Sequence, residues 1–173
     1  GIMATAIAKH AGARYVVTTK SPLTGAITCS NSGGYFPAEL KKSGYDALII
    51  EGASAKPVYL WIDGNRAELR PAEHLWGLST HATDDALRRE THETAKTSVI
   101  GPAGEKRVLF AAIMNDRDRA AGRAGVGAVM GAKKLKAIAV RGAGEVSLAD
   151  PAAFKAANTQ YREAFKAATK VNP

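Results

Sequence analysis

Residues 116–131, DRDRAAGRAGVGAVMG, place three arginines (Arg117, Arg119, Arg123) and four glycines (Gly122, Gly125, Gly127, Gly131) within sixteen positions. Fixed positive charge beside bare backbone suits an oxyanion. Glycine lets consecutive N–H groups converge on one oxygen. A following helix adds the positive end of its dipole. Arginine offers a planar, two-pronged donor to phosphate. A second glycine-rich segment, SNSGG at 30–34, also runs into a helical pattern. Glycines of this kind can equally serve tight turns and close packing, and both uses stay open here.

The common nucleotide templates do not fit. A Walker A loop needs Ser or Thr after its Lys, whereas Gly131 is followed by Ala132, Lys133 and Lys134. GVGAVM offers half of a dinucleotide fingerprint, but polar residues separate Gly125 from the preceding apolar run. Catalytic groups are sparse. His10, His74, His81 and His92 are dispersed, and Cys29 is the one cysteine, so the chain holds no disulfide, zinc cage or cluster ligand set. Asp84 and Asp85 read as charge at a helix start. Asp116 and Asp118 alternate with Arg117 and Arg119, which reads as mutual ion pairing.

Several elements must position these residues. RYVVTTK (14–20) and AITCS (26–30) read as strands around a Pro-Gly turn, with SNSGG as a loop. YFPAELKKSG reads as a short helix with Pro37 in its first turn and Gly44 as its stop. YDALIIEG reads as a buried strand. KPVYLWIDGNRAELR is a hairpin about Asp63, Gly64 and Asn65. ATDDALRRETHE is an amphipathic helix with Thr83 as N-cap. KTSVIGPAGEKRVLFAAIM reads as strand, turn, strand, and KKLKAIAVRG as a strand. From Asp150 one long amphipathic helix begins, capped by Asp150 with Pro151 at its first position.

The order Arg, strand, glycine loop, helix, Lys pair, apolar strand, Gly occurs twice, over residues 14–52 and 107–142. Any strand–loop–helix–strand unit can read this way; alternatively the order marks a duplication, with one glycine loop per half facing a common centre. The net charge of +8 is spread over separate pairs, and aromatic residues make up 6%, too few for rows of stacked bases, which argues against nucleic acid as partner. No apolar run reaches the about 20 residues of a membrane span, and the N-terminus does not read as a secretory signal.

Four stretches carry a resemblance: RYVVTTKSPLTGAITCSNSGGYF, AELKKSGYDALIIEGASAKPVYLWI, HLWG, and IGPAGEKRVLFAAIMNDRDRAAGRAGVGAVMGAKKLKAIAVRG. Together they resemble the N-terminal domain of the tungsten-containing aldehyde ferredoxin oxidoreductases. The resemblance implies an α+β, duplicated two-half domain with two β-sheets and short helices over residues 1–149. It also implies a family segment preceding residue 1, and a helix at 150–173 leading into a helical domain. It implies oxidation of aldehyde to carboxylate with electrons passed to ferredoxin, in the cytoplasm. The cofactor implied is tungsten (or molybdenum) bis-pterin, with magnesium bridging the pterin phosphates. A 4Fe–4S cluster belongs to the full-length family and has no ligands in this chain. Arg14, Asn31, Gly33, Arg119, Ala120, Gly122 and Arg123 match cofactor-binding positions; Asn31 and the Ala120 carbonyl match magnesium positions. Alone, the chain is expected not to catalyse. The alternatives are a non-catalytic binding or assembly module that associates with itself or with a missing-domain partner, or a nucleotide- or nucleic-acid-binding domain.

Overall fold

The structure, a computed structural model, describes residues 3–7 and 15–171. The first half runs β1 (Met3–Ile7), β2 (Tyr15–Lys20), β3 (Ile27–Ser32), α1 (Phe36–Lys42) and β4 (Ala47–Ile50). Its strands form an antiparallel sheet in the order β3-β2-β1-β4. A hairpin follows, β5 (Val58–Asp63) and β6 (Arg66–Pro71), turning at Gly64 with φ +55°. Then come α2 (Thr80–Glu90), β7 (Lys96–Val99), α3 (Pro102–Glu105), β8 (Ile113–Asn115), β9 (Arg119–Ala121), α4 (Val126–Ala132), β10 (Leu135–Arg141) and α5 (Pro151–Val171). The second sheet has the order β6-β5-β10-β7-β8-β9.

The two halves share one wiring. In the first, β1 lies between β2 and β4, antiparallel to both; in the second, β7 lies between β8 and β10, antiparallel to both. Each then adds a hairpin strand (β3, β9), a seven-residue helix (α1, α4) and a last strand (β4, β10). The duplication predicted from 14–52 and 107–142 is therefore present, but each repeat starts one strand earlier, at β1 and β7. The repeats differ at the outer edge of the last strand. There β10 takes β5 in parallel, and Arg141 grips Asp63 through two hydrogen bonds of 2.7 and 2.9 Å. Among the described residues, β4 has no strand on that side.

The main core lies between the two sheets and joins Tyr15, Phe36 and Leu40 of the first half to Ile113, Val126, Met130 and Ile138 of the second. A second core forms on the other face of the six-stranded sheet, where Leu75 and Leu87 cover Tyr59, Trp61, Ala137 and Ala139. Cover on both faces explains the unbroken apolar run of β10. Lys136 interrupts it. Its side chain is fully buried, donates to the Leu78 carbonyl at 2.9 Å and pairs with Glu105. Glu105 in turn accepts the Gly77 N–H at 2.9 Å.

Several expectations change. The 47–50 strand is an edge rather than buried, with Ile49 70% exposed. Asn31 and Ser32 belong to β3, not to a loop. GPAG opens the short helix α3, and only Ile113–Asn115 of RVLFAAIM is strand, because residues after α3 turn back under α4. The N-cap of α2 is Ser79, whose hydroxyl accepts the Ala82 N–H at 3.2 Å. Thr83 is buried instead and donates to the Ser79 carbonyl. Asp84 and Asp85 therefore stand in the second turn. In α5 the Asp150 carboxylate does accept the Ala153 N–H at 2.9 Å, and the described side chains of this helix are all exposed.

Candidate functional site

The two sheets approach each other where β3 meets β9. Alternation along β3 turns Ser30 and Ser32 inward and leaves Cys29 and Asn31 exposed. Register places the two hairpins in correspondence: Tyr15 pairs with Ser32 and Val16 with Asn31, as Ile113 pairs with Ala121 and Met114 with Ala120. Asn31 and Ala120 thus occupy equivalent positions, each two residues before a glycine, Gly33 or Gly122. Between them opens a cleft of about 450 Å³ lined by Cys29, Ser30, Asn31, Ala120, Gly122 and Arg123. A neighbouring cavity of about 350 Å³ is lined by Gly34, Tyr35, Asp116, Asp118 and Arg119.

Of the expected site residues, Asn31, Ala120, Gly122 and Arg123 share the cleft. Gly33 lies two residues beyond Asn31, on the turn leaving β3. Arg119 adjoins Ala120 but lines the neighbouring cavity. Arg14 lies outside the described residues.

The glycines separate into two kinds. Gly125 has φ +69°, and a Cβ there would strike the Leu109 carbonyl; a Cβ at Gly127 or Gly131 would strike the carbonyl of Ala112 or Gly104. The fold alone requires these three. Gly122 is different: its φ is not positive, and the nearest atom to an added Cβ is Ala120 Cβ at 3.8 Å. At Gly33 nothing lies within 4 Å. Packing gives no reason for glycine at these two positions; a ligand resting on the backbone would.

Charge follows the same division. Arg117 is taken by Asp85 at 3.2 Å and Asp84 at 3.8 Å, so the expected pairing with Asp116 and Asp118 is replaced by a link to α2. Arg119 and Arg123 form no ion pair among the described residues, and no carboxylate lines the cleft. Cys29 is exposed at its rim, with Sγ 3.3 Å from Thr18 Oγ1.

Beneath the cleft each half holds the other's turn. The Arg123 N–H donates to Ser30 Oγ at 3.0 Å. The Asp116 Oδ2 accepts the N–H groups of Tyr35 and Phe36, the latter at 3.0 Å. The buried Asn115 amide donates to the Gly33 carbonyl at 3.4 Å and receives the Ser98 hydroxyl at 3.3 Å. Ser30 and Asn115 escaped the sequence reading, and Asp116 was read there as an ion-pair partner of the neighbouring arginines. Alternation along β3 could have placed Ser30 inward; nothing local marks Asp116, whose partners lie about eighty residues away.

This duplicated frame is matched elsewhere. A family model described as the N-terminal domain of aldehyde ferredoxin oxidoreductase matches residues 1–142. The chain belongs to the aldehyde ferredoxin oxidoreductase family. It is 58% identical over 144 residues to the tungsten-containing aldehyde ferredoxin oxidoreductase of Pyrococcus furiosus, covering 83% of this chain and 24% of that protein. The aliphatic sulfonate oxidoreductase WOR-like subunit of the same organism is 36% identical over 148 residues, 78% of this chain and 24% of that one. Among solved structures, the active site complex BamBC of benzoyl coenzyme A reductase with 1,5-dienoyl-CoA superposes with a TM-score of 0.82. Its identity is 38%, over 87% of this chain and 24% of that one. The chain thus spans about a quarter of the length of the curated aldehyde ferredoxin oxidoreductases it matches. No helix among the described residues is long and apolar enough to cross a membrane.

Proposed function

We propose that this chain is the cofactor-gripping part of an aldehyde ferredoxin oxidoreductase-like enzyme, and that its cleft holds the phosphate ends of a tungsten (or molybdenum) bis-pterin. The observation that carries this reading is the pairing of unneutralised Arg119 and Arg123 with two glycines, Gly33 and Gly122, that the fold does not require. When bound, the group supplies two-electron chemistry for oxidation of aldehyde to carboxylate, with ferredoxin as acceptor, in the cytoplasm. The residues of this chain bind and orient it. Arg119, Arg123 and the Gly33 and Gly122 backbone would hold the phosphates, with Arg14 assigned to the same role by the resemblance. Asn31, through its side-chain oxygen, and Ala120, through its carbonyl, would hold a magnesium ion, a hard cation that selects oxygen donors. The equivalence of the two positions in the repeat supports that assignment, since a doubled anionic ligand fits a doubled frame. Cys29 is the chain's one thiol, so the 4Fe–4S cluster is assigned to other parts of the full enzyme.

The test is loading. Protein from tungstate-fed cells is analysed for tungsten by mass spectrometry and for pterin by fluorescence after oxidation. Both are expected in the wild type, and both are expected to fall in Arg123→Glu. A folded wild type carrying neither defeats the proposal. The chain by itself is expected to reduce no viologen dye with aldehyde.

A further inference from the structure

The geometry points to Asp116 as a positioning residue for the cleft, acting on the glycine turn of the opposite half, with Ser30 as its counterpart on the Arg123 turn. The inference rests on the cofactor reading above and adds residues that do not themselves line the Asn31–Arg123 cleft or that line it without offering it a free polar group.

Asp116 is held rigidly. Its N–H donates to the Thr97 carbonyl at 3.1 Å, its own carbonyl accepts the Asp118 N–H at 2.9 Å, and its φ is +46°, a conformation aspartate tolerates better than most residues. From this fixed base the carboxylate crosses to the first half. One oxygen accepts two successive N–H groups, of Tyr35 and Phe36. The other oxygen is buried and has no hydrogen-bond partner among the described residues. Burying an unpartnered carboxylate oxygen costs stability. A hydroxyl could cap the same amides without that cost, so holding the turn by charge has another use.

That use is the placement of Gly33 and Arg119. Gly34 has φ +105°, and a Cβ on it would strike the Asp116 carboxylate and come within 3.2 Å of Arg119 Cγ. The turn is therefore seated between the carboxylate and the stem of Arg119. Asn115, the preceding residue, holds the Gly33 carbonyl. On the reciprocal side, Ser30 is 1% exposed and its hydroxyl fixes the Arg123 N–H, next to Asn31 on the same strand. Each glycine turn is thus set by the other repeat. Neither turn can shift without pulling on the strand that carries the other half of the grip.

The experiment compares Asp116→Ala, Asp116→Asn, Ser30→Ala and Leu87→Ala with wild type, all prepared from tungstate-fed cells. Leu87, on the buried face of α2 in the second core, lies away from the cleft and controls for lost stability alone. Amide exchange at Tyr35 and Phe36 is expected to rise about 10- to 100-fold in Asp116→Ala, the loss of hydrogen bonds to a charged acceptor. Tungsten and pterin per protein are expected to fall at least about fivefold in that variant, less than one hydrogen bond to a charged group can command. Asp116→Asn keeps an acceptor oxygen and is expected to restore most of both. Ser30→Ala is expected to lower loading while leaving Tyr35 and Phe36 protected, and it carries the test should Asp116→Ala not fold. Retention of full loading by Asp116→Ala and Ser30→Ala, or equal loss in a Leu87→Ala variant of matched melting temperature, overturns the inference and leaves the cofactor reading in place. A folded wild type without tungsten or pterin removes both.

Discussion

Gly122→Ala separates a fold requirement from a ligand requirement. At Gly122 φ is not positive, and the added methyl would find only Ala120 Cβ, at 3.8 Å. The expected change in stability is within about 0.5 kcal/mol, the range of an unobstructed surface substitution. For a chain of this length that is about 1–2 °C in Tm. At Gly125 the same change meets φ +69° and the Leu109 carbonyl. The left-handed conformation alone costs about 1 kcal/mol, and the collision brings the total above about 2 kcal/mol, or at least about 4 °C. Loading should rank the pair differently. The Gly122 methyl projects into the cleft, where overfilling by one carbon costs about 1–3 kcal/mol and so weakens retention about 5- to 150-fold. Differential scanning fluorimetry reads stability; tungsten and pterin per protein read loading. A Gly122→Ala protein that melts like wild type and loads like wild type refutes the claim that a ligand explains this glycine.

Three further outcomes are expected. Lys136→Met leaves Glu105 buried without its cation and should lower stability by about 3–5 kcal/mol in urea unfolding, while Glu105→Leu combined with Lys136→Met should recover most of it; an undiminished midpoint in the single variant would show that the pair contributes nothing. Burial lowers the Lys136 pKa below 10.5, with Glu105 opposing the shift. The unfolded chain therefore holds the extra proton between the folded value and 10.5, and the stability of wild type relative to Lys136→Met should rise with pH across that window; a falling difference contradicts the assigned sign. Cys29 lines the cleft and is exposed, so maleimide should label it quickly in protein freed of cofactor and slowly in loaded protein; equal rates would place the cofactor elsewhere.

The repeat was legible because each half reuses the same local signals in the same order. Strand-forming residues, a glycine turn, a short helix and an apolar strand recur, and local signals survive translation into structure. The cleft was legible only through resemblance and composition. Arg123 and Gly122 draw attention in any reading, but nothing in the sequence tells Gly122 from Gly125. The difference is whether the Leu109 carbonyl stands where a methyl would go, which depends on packing between distant segments. The buried-strand reading of 47–50 failed for a related reason: an apolar tetrapeptide cannot report whether a neighbour lies on its second edge. Asp84 and Asp85 were misplaced because Ser79 begins α2 a turn earlier, and a serine followed by Thr80 and His81 carries no stronger start signal than Thr83 before two acids. Lys136 was invisible as a buried cation, since its partner Glu105 is thirty-one residues away.

The unequal sheets have a practical outcome. Two repeats with one wiring end in different company: the rim of β10 is sealed by β5, while among the described residues no strand pairs with the outer rim of β4, beside an outward Ile49. Such a rim is a template for a stray strand, and it is one place where concentrated solutions of the chain should associate. Ile49→Lys should weaken association through this rim without touching the seam between the repeats.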